Sequence, residues 1–284
     1  MLTLRYRVVD VFTHTKLEGN PLAVFPDERA LDGETMQKIA LELNLAETTF
    51  VLPPTRTDCV ARVRIFTPTR EMRFAGHPTI GTAWVLLNEQ VTQAPCFSLE
   101  ELVGPVPVRV DGDLLWLTTP PIAFGPVFGR EIAAAALSLP PADLLDFPPQ
   151  WLSAGNPNIY IPLRSAEAVD RASVDVAALR TLTAGLSEPA CVFVFAPTAD
   201  GAYSRMFAPE HGIVEDPATG SATGPLAAYM VRHGLCASTP GTRLVSEQGV
   251  KMRRRSLLHV LAGEDGGFDV GGAVTPLASG VMEL

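Results

Sequence analysis

The amino-acid sequence predicts an α+β fold of two similar domains, each formed mainly by strands around one central helix. Two observations support this fold class. The chain contains an internal repeat, and each copy includes an uncharged segment that is apolar on nearly every side. A helix of that kind is buried all round, so each copy is expected to wrap a sheet around it.

The internal repeat reveals the architecture of the chain. Four short features recur in the same order at nearly constant spacing, which indicates two copies of one fold. Two of them recur at an offset of 141 positions: residues 64–68 (RIFTP) match 205–209 (RMFAP), and Glu47 matches Glu188. Residues 77–83 (HPTIGTA) match 216–222 (DPATGSA) at an offset of 139. Residues 19–21 (GNP) match 155–157 (GNP) at an offset of 136.

Each copy is predicted to contain strands and two kinds of helix. Apolar or alternating runs predict strands over residues 6–12, 21–25, 48–52 and 61–66. Met36, Ile39, Ala40 and Leu43 follow helical spacing, and Asn44 is expected to end that amphipathic helix. Residues 78–88 and 222–231 carry no charge and predict the two buried helices.

Proline and glycine cluster in residues 120–126, which indicates a linker. The predicted domains are therefore residues 1–124 and 125–272. A final strand-like run, residues 273–284, follows Gly271 and Gly272. It could cross back to complete the first domain, although the sequence leaves this open.

Composition excludes several classes of function. The formal net charge of −9 disfavours nucleic acid as a partner, and the short basic run from Lys251 to Arg255 is interpreted as a solvated turn. The four cysteines lack CxxC spacing, so neither a disulfide framework nor a metal site is predicted. No apolar signal region or span of about 18 residues is evident, which favours a cytoplasmic location without membrane contact.

Both buried helices begin at a polar residue, a proline and then small residues. The unpaired N–H groups of a buried helix start need an acceptor, and the helix dipole favours an anion there. The alternative is that Thr79, Thr219 and Ser221 simply cap the helices. Because the feature occurs twice with an ionisable group each time, an anion-binding cleft between the domains is favoured.

The candidate ionisable groups are His77, Asp216 and Glu47. His77 and Asp216 occupy matched places in the two copies by sequence, so a cleft between the copies would bring them face to face. Glu47 precedes an apolar strand, where a partly desolvated carboxylate could exchange protons with a substrate. An ordinary exposed turn residue is the alternative interpretation of Glu47.

Long stretches of the chain resemble the PhzF family of phenazine-biosynthesis isomerases. The resemblance covers nearly the whole chain in order. It rests on residues 9–13 (VDVFT), 19–24 (GNPLAV), 44–51 (NLAETTFV), 64–68 (RIFTP), 74–79 (FAGHPT) and 215–222 (EDPATGSA).

The resemblance implies the diaminopimelate-epimerase-like fold, with two barrel domains around central helices. It implies isomerisation of dihydro-3-hydroxyanthranilate or a similar small cyclic amino or hydroxy acid, without metal or organic cofactor. Proton transfer would be by carboxylate acid/base catalysis in a homodimer. The family's catalytic residues fall on Glu47, His77 and Asp216, and its substrate contacts on Gly76, Gly220 and Ser221.

The sequence departs from the family pattern at several places. Ala46 stands where serine is frequent, Arg253–Arg255 replace a glycine and a proline, and Pro225 lies early in the second buried helix. Two other functions stay open. One is a binding protein that kept the pocket without turnover, and the other is an epimerase or racemase of the same fold, which would carry a cysteine at each helix start.

Overall fold

A computed structural model describes residues 2–26, 31–188, 190–237 and 239–284. The chain divides into two compact units, the first comprising Met1–Thr118 with Gly271–Leu284 and the second Thr119–Val270. In the first unit, the elements are β1 (Thr3–Val11), β2 (Asn20–Phe25), α1 (Gly33–Leu43), β3 (Glu47–Leu52), β4 (Ala61–Phe66), β5 (Glu71–Met72), α2 (Gly76–Asn88), β6 (Cys96–Glu101), β7 (Gly104–Asp111) and β8 (Leu114–Thr118).

The chain continues through the second unit and then returns to the first. Its further elements are β9 (Ala123–Val127), α3 (Arg130–Ala136), β10 (Gln150–Ser153), β11 (Pro157–Pro162), α4 (Ala166–Arg171), α5 (Val176–Thr183), β12 (Cys191–Thr198), β13 (Gly201–Ala208), β14 (Ile213–Asp216), α6 (Gly220–Arg232), β15 (Arg243–Gln248), β16 (Ser256–Ala262), β17 (Phe268–Gly272) and β18 (Val274–Glu283). Part of the predicted linker is thus a strand, β9, which pairs with β10.

The first unit is a mixed sheet around α2. β2 runs parallel to β3, β3 antiparallel to β4, β4 parallel to β6, and β6 antiparallel to β7. β1 pairs antiparallel with both β2 and β18. A Cβ on Gly81 of α2 would lie 2.6 Å from Leu22 and 2.8 Å from Val11, so the helix backbone lies directly against the sheet.

Helix α1 forms as its sequence predicts. Asp32 accepts a hydrogen bond from the Thr35 N–H at 2.8 Å and caps the start. Asn44 ends the helix in the left-handed conformation, at φ 50°, and its N–H donates to the Ala40 carbonyl. The apolar face, including Met36, packs in a cluster with phenylalanines of the neighbouring strands.

The second unit repeats this strand pairing. β11 runs parallel to β12, β12 antiparallel to β13, β13 parallel to β15, and β15 antiparallel to β16. Helix α6 is buried along almost its whole length and continues through Pro225, its sixth residue. Pro225 therefore lies deeper in the helix than the first turn, where proline is tolerated best.

A matched ion pair marks the repeat in both units. In the first, Arg64 donates to both carboxylate oxygens of Glu71, at 2.6 and 2.7 Å. In the second, Arg205 donates likewise to Glu215, at 2.9 and 2.8 Å. The two arginines are 141 positions apart, but the two glutamates are 144 positions apart. The segment from Arg205 to Glu215 is therefore three residues longer than the segment from Arg64 to Glu71.

This shift corrects the predicted equivalence of His77 and Asp216. Asp216 pairs with Met206 of β13, whereas Met72 pairs with the matching Ile65 of β4. The counterpart of Asp216 is therefore Met72. The sequence match of residues 77–83 with 216–222 sets Pro78 opposite Pro217. In the structure, however, Pro78 is the third residue of α2, whereas Pro217 precedes α6.

The residue that matches His77 is Ser221, since each is the second residue of a 13-residue helix. Threonines two positions later behave alike. Thr79 donates its hydroxyl to the Ala75 carbonyl at 2.8 Å, and Thr223 donates to the Thr219 carbonyl at 3.0 Å.

The predicted match of Glu47 with Glu188 is wrong by the same three residues. Glu47 is the first residue of β3 and lies beside Leu22 of β2. The first residue of β12 is Cys191, which lies beside Asn158 of β11. Cys191 is therefore the counterpart of Glu47, and Glu188 lies before the strand.

Candidate active site

Strand β3 and the start of α2 bring Glu47 and His77 together. His77 Nε2 lies 3.2 Å from Glu47 Oε2, and their side chains are 5% and 13% exposed. β3 is positioned by its parallel pairing with β2. Pro78 suits the first turn of α2 because its ring presets a helical φ and no N–H partner is needed there.

His77 is uncharged in this setting. Burial lowers the pKa of His77 to about 3, since removing an imidazolium from water is unfavourable. A neutral imidazole has one N–H donor and one acceptor nitrogen. Its 3.2 Å contact with Glu47 is thus the approach of a neutral ring nitrogen to a carboxyl oxygen and not a full ion pair.

The other ring nitrogen of His77 faces Asn20. The Asn20 side-chain nitrogen lies 3.3 Å from His77 Nδ1, and Asn20 is fully buried. Asn20 is the first residue of β2. The sequence comparison identified Asn20 only as part of the repeated GNP motif, so its contact with the site was not predicted.

In the second unit, Asp216 lies at the end of β14 in a buried hydrogen-bonded turn. Thr219 donates its hydroxyl to Asp216 Oδ2 at 2.5 Å. Gln248 donates from Nε2 to the Asp216 carbonyl at 2.8 Å and to the Thr219 hydroxyl at 3.0 Å. Its Oε1 accepts from the Thr219 N–H at 3.2 Å. The turn that carries Asp216 is therefore held by an amide from β15.

Gln248 was not predicted as a site residue. A glutamine followed by glycine at the end of an alternating strand is the signal that marks it. Gly249 has φ 77°, and a Cβ there would lie 2.3 Å from the Arg254 carbonyl oxygen and 2.6 Å from that of Pro217. Glycine at this position thus lets the loop after β15 approach the turn before α6.

The first unit has a carboxyl group where the second has Gln248. Glu101 ends β6 as Gln248 ends β15, and its Oε1 lies 2.6 Å from the Thr79 hydroxyl oxygen. Burial raises the pKa of Glu101 to about 8. Near neutral pH the group is therefore mostly protonated, and it resembles the neutral amide of Gln248.

The two helix starts place the predicted substrate contacts. Gly76 and Gly220 are the first residues of α2 and α6, and both are buried together with Ser221. Neither helix has a side-chain cap hydrogen bond. Thr79 and Thr219 donate their hydroxyls to Ala75 and Asp216 instead, so the capping alternative is wrong for these threonines. The first-turn N–H groups of the two helices therefore have no acceptor from the side chain of the cap residue.

Ser221 is oriented by a second asparagine. Asn156 donates from Nδ2 to Ser221 Oγ at 3.3 Å. Each predicted site residue therefore lies in one of two clusters. The first unit contributes Glu47, His77 and Gly76, and the second contributes Asp216, Gly220 and Ser221.

Two matched halves, each a mixed sheet around a buried central helix, define an α+β fold of the diaminopimelate-epimerase-like kind. A solved hydroxyproline epimerase from Agrobacterium vitis shares this fold, with a TM-score of 0.65 at 13% identity over 99% of this chain and 93% of that one. The chain belongs to the PhzC-PhzF family, described as phenazine biosynthesis-like protein, whose sequence model matches residues 9–278.

Two similar proteins come from Pseudomonas aeruginosa. A trans-2,3-dihydro-3-hydroxyanthranilate isomerase is 39% identical over 263 residues, which cover 91% of this chain and 90% of that protein. The structure of a predicted epimerase is 35% identical, with a TM-score of 0.86 over 99% of both chains. The predicted family, α+β fold and isomerase class are thereby confirmed.

No helix among the described residues is both long and apolar enough to cross a membrane.

Proposed function

We propose that this protein isomerises a small cyclic amino or hydroxy acid of the dihydro-3-hydroxyanthranilate type by moving one proton between two carbons. The observation that carries the proposal is the buried contact of 3.2 Å between Glu47 Oε2 and His77 Nε2. It joins a carboxylate to a neutral hydrogen-bonding ring in a site from which water is largely excluded. The name of the 39% identical relative supports the substrate class.

Glu47 acts as both base and acid in this scheme. Its carboxylate removes a proton from one ring carbon, and the electron pair of that C–H bond moves into the conjugated system. The resulting carboxylic acid then gives the proton to a second carbon. Atoms and electrons balance within the substrate, so the reaction needs no oxidant, reductant or organic cofactor.

His77 supports Glu47 without taking the substrate proton. With its pKa lowered to about 3 by burial, the ring stays neutral throughout and can only share a hydrogen bond. An N–H on the ring nitrogen that lies 3.2 Å from Glu47 Oε2 favours the carboxylate form of Glu47 in the resting enzyme. It also fixes the orientation of the group that must reach two carbons in turn.

Asp216 and Ser221 bind the polar groups of the substrate. The buried Asp216 carboxylate accepts hydrogen bonds from a substrate amino or hydroxyl group. The first-turn N–H groups at Gly76 and Gly220 suit a substrate carboxylate, since helix N-termini attract anions. Glycine at each position leaves the backbone open to close approach.

The proposal includes a homodimer that acts in the cytoplasm without a metal. Sedimentation velocity at micromolar concentration tests the dimer, and a protein mass near 61 kDa, twice the 30.4 kDa chain, is expected. If the reaction needs no metal, activity should be unchanged after the protein is treated with a chelator.

The test is turnover of trans-2,3-dihydro-3-hydroxyanthranilate in heavy water, followed by NMR. The wild type is expected to form product with deuterium at the accepting carbon. Glu47→Gln should be slower by about 10²-fold or more, since acid/base groups contribute roughly 10²–10⁴-fold. Glu34→Gln, a change of an exposed carboxylate on α1, is the matched control and should match the wild type.

Two outcomes would contradict parts of the proposal. Equal rates for Glu47→Gln and the wild type would remove Glu47 as the acid/base. Absence of turnover by a folded wild type would exclude this substrate, and binding without turnover would favour a binding protein.

A further inference from the structure

Two asparagines occupy matched positions in the two units. Asn20 and Asn156 are the middle residues of the two GNP motifs, 136 positions apart. The preceding glycines have positive φ, 68° for Gly19 and 105° for Gly155. A Cβ on Gly19 would lie 2.4 Å from the Val11 carbonyl oxygen, so glycine is required there for Asn20 to reach its place.

Both asparagines bind the second residue of the central helix. Asn20 Nδ2 lies 3.3 Å from His77 Nδ1, and Asn156 Nδ2 lies 3.3 Å from Ser221 Oγ. The partner side chains differ, yet the contact and its length are the same. The shared role of these asparagines is therefore to orient whichever side chain stands second in the helix.

The contact of Asn20 with His77 has a chemical consequence that the contact of Asn156 with Ser221 lacks. An amide nitrogen carries two hydrogens and no free acceptor lone pair, so it can only donate. His77 Nδ1 must then be the acceptor. Because the ring is neutral, its single proton lies on Nε2, the nitrogen that faces Glu47 at 3.2 Å.

We infer that Asn20 is a positioning residue that fixes the Nε2–H tautomer of His77 and so directs an N–H, and not a lone pair, toward Glu47. The inference rests on the proposed function, in which the carboxylate form of Glu47 is the base. The Asn20 amide lies 3.3 Å from Nδ1, and Nε2 on the other side of the ring lies 3.2 Å from Glu47 Oε2. If Nδ1 carried the proton instead, the Nε2 lone pair would face Glu47, and only a protonated Glu47 could bond to it.

Asn156 has no such role, because a serine hydroxyl can both donate and accept. Ser221 can rotate to suit either an amide nitrogen or an oxygen. The same substitution at the two asparagines should consequently have different effects, and Asn156 provides a matched control within the chain.

The variants are Asn20→Asp and Asn156→Asp. An aspartate carboxylate can only accept, so Asn20→Asp should move a proton onto His77 Nδ1. The result expected for its activity is a fall in kcat of about tenfold or more, with the acid limb of the pH–rate profile shifted to higher pH. Asn156→Asp should leave that limb unchanged and raise KM for an anionic substrate, because the new carboxylate lies beside Ser221.

The direct readout is the tautomer of His77, measured by long-range ¹H–¹⁵N correlation NMR on the full chain and assigned by comparison with His77→Gln. The wild type should show the proton on Nε2, and Asn156→Asp should be identical. In Asn20→Asp, Nδ1 should carry a proton. Asn20→Ala, which removes the donor without adding charge, should give a mixture of both tautomers.

The tautomer measurement separates this inference from the proposed function, since it needs no substrate. A proton on Nδ1 in the wild type would overturn the inference even if the enzyme is active. An unchanged tautomer and pH profile in folded Asn20→Asp or Asn20→Ala would overturn it as well. The wild-type result can overturn the inference even where a variant fails to fold.

Discussion

The starts of α2 and α6 show the same frame with different chemistry. Each helix begins with glycine, has a threonine in fourth position that bonds back to a carbonyl, and has an asparagine bound to its second residue. The variable positions are His77 against Ser221, Glu47 against Cys191, Glu101 against Gln248, and Met72 against Asp216. Duplication thus preserved the frame, while the two copies came to carry different polar groups.

This comparison separates residues that support folding from residues that support the reaction. The shared groups, such as the Arg64 and Arg205 ion pairs, should affect stability when changed. The unshared groups, such as His77, should affect activity.

The largest effect is expected when the second residue of α2 is replaced by the residue found at that position in α6. His77→Ser should lower kcat by about 10²-fold, because Glu47 loses the neutral ring nitrogen that lies 3.2 Å from its Oε2. The midpoint of thermal unfolding should change little. Collapse of the fold in His77→Ser, measured by circular dichroism, would place His77 among the structural residues and contradict the division.

Breaking the shared ion pair should reduce stability in both units, but more in the second. Arg205 and Glu215 are 10% and 12% exposed, against 20% and 25% for Arg64 and Glu71. Arg205 also donates to the carbonyls of Val169 and Ala172, at 3.0 and 2.8 Å.

Arg205→Met should therefore cost about 3–5 kcal/mol, since it leaves a buried carboxylate unpaired. Arg64→Met should cost about 1–2 kcal/mol because its pair is more hydrated. Urea unfolding of both variants measures the difference. An equal cost would show that the backbone contacts of Arg205 contribute nothing.

An effect that is smallest near pH 5 and grows as the pH rises is expected from Glu101→Gln, which gives the first unit the amide of the second. Burial raises the pKa of Glu101 to about 8, so the folded chain binds a proton that the unfolded chain has released above about pH 4.5. The stability from this group is thus full below that pH and is lost as the pH rises to about 8.

Glu101→Gln should abolish this part of the pH dependence and leave stability near pH 5 almost unchanged. Each unit of pKa shift corresponds to about 1.4 kcal/mol, so the variant should become the more stable protein at pH 8. Denaturant midpoints from pH 5 to 9 measure the effect. Parallel curves for variant and wild type would contradict a protonated Glu101.

Much of the fold was predictable because its signals are local. The periodic Met36, Ile39 and Ala40 predicted α1, the uncharged residues 78–88 predicted α2, and apolar runs predicted β2 to β4 within one or two residues. The candidate residues Glu47 and His77 were also identified from their sequence context, and the structure brings them together.

The correspondence between the two copies and the supporting residues were less accessible to sequence reasoning. The three residues added between β13 and Glu215 become visible only through strand pairing, so Asp216 was matched with His77 instead of Met72. Gln248 reaches the start of α6 because β15 pairs with β13, a contact distant in sequence. Local patterns carry no information on such long-range pairing.

The most direct test of the central claim is exchange of the carbon-bound proton of dihydro-3-hydroxyanthranilate with heavy water, measured side by side for the wild type, His77→Ser and Glu47→Gln. The account predicts fast exchange by the wild type, slower exchange by His77→Ser, and almost none by Glu47→Gln. Exchange by a folded Glu47→Gln at the wild-type rate would contradict it, because another group would then be moving the proton.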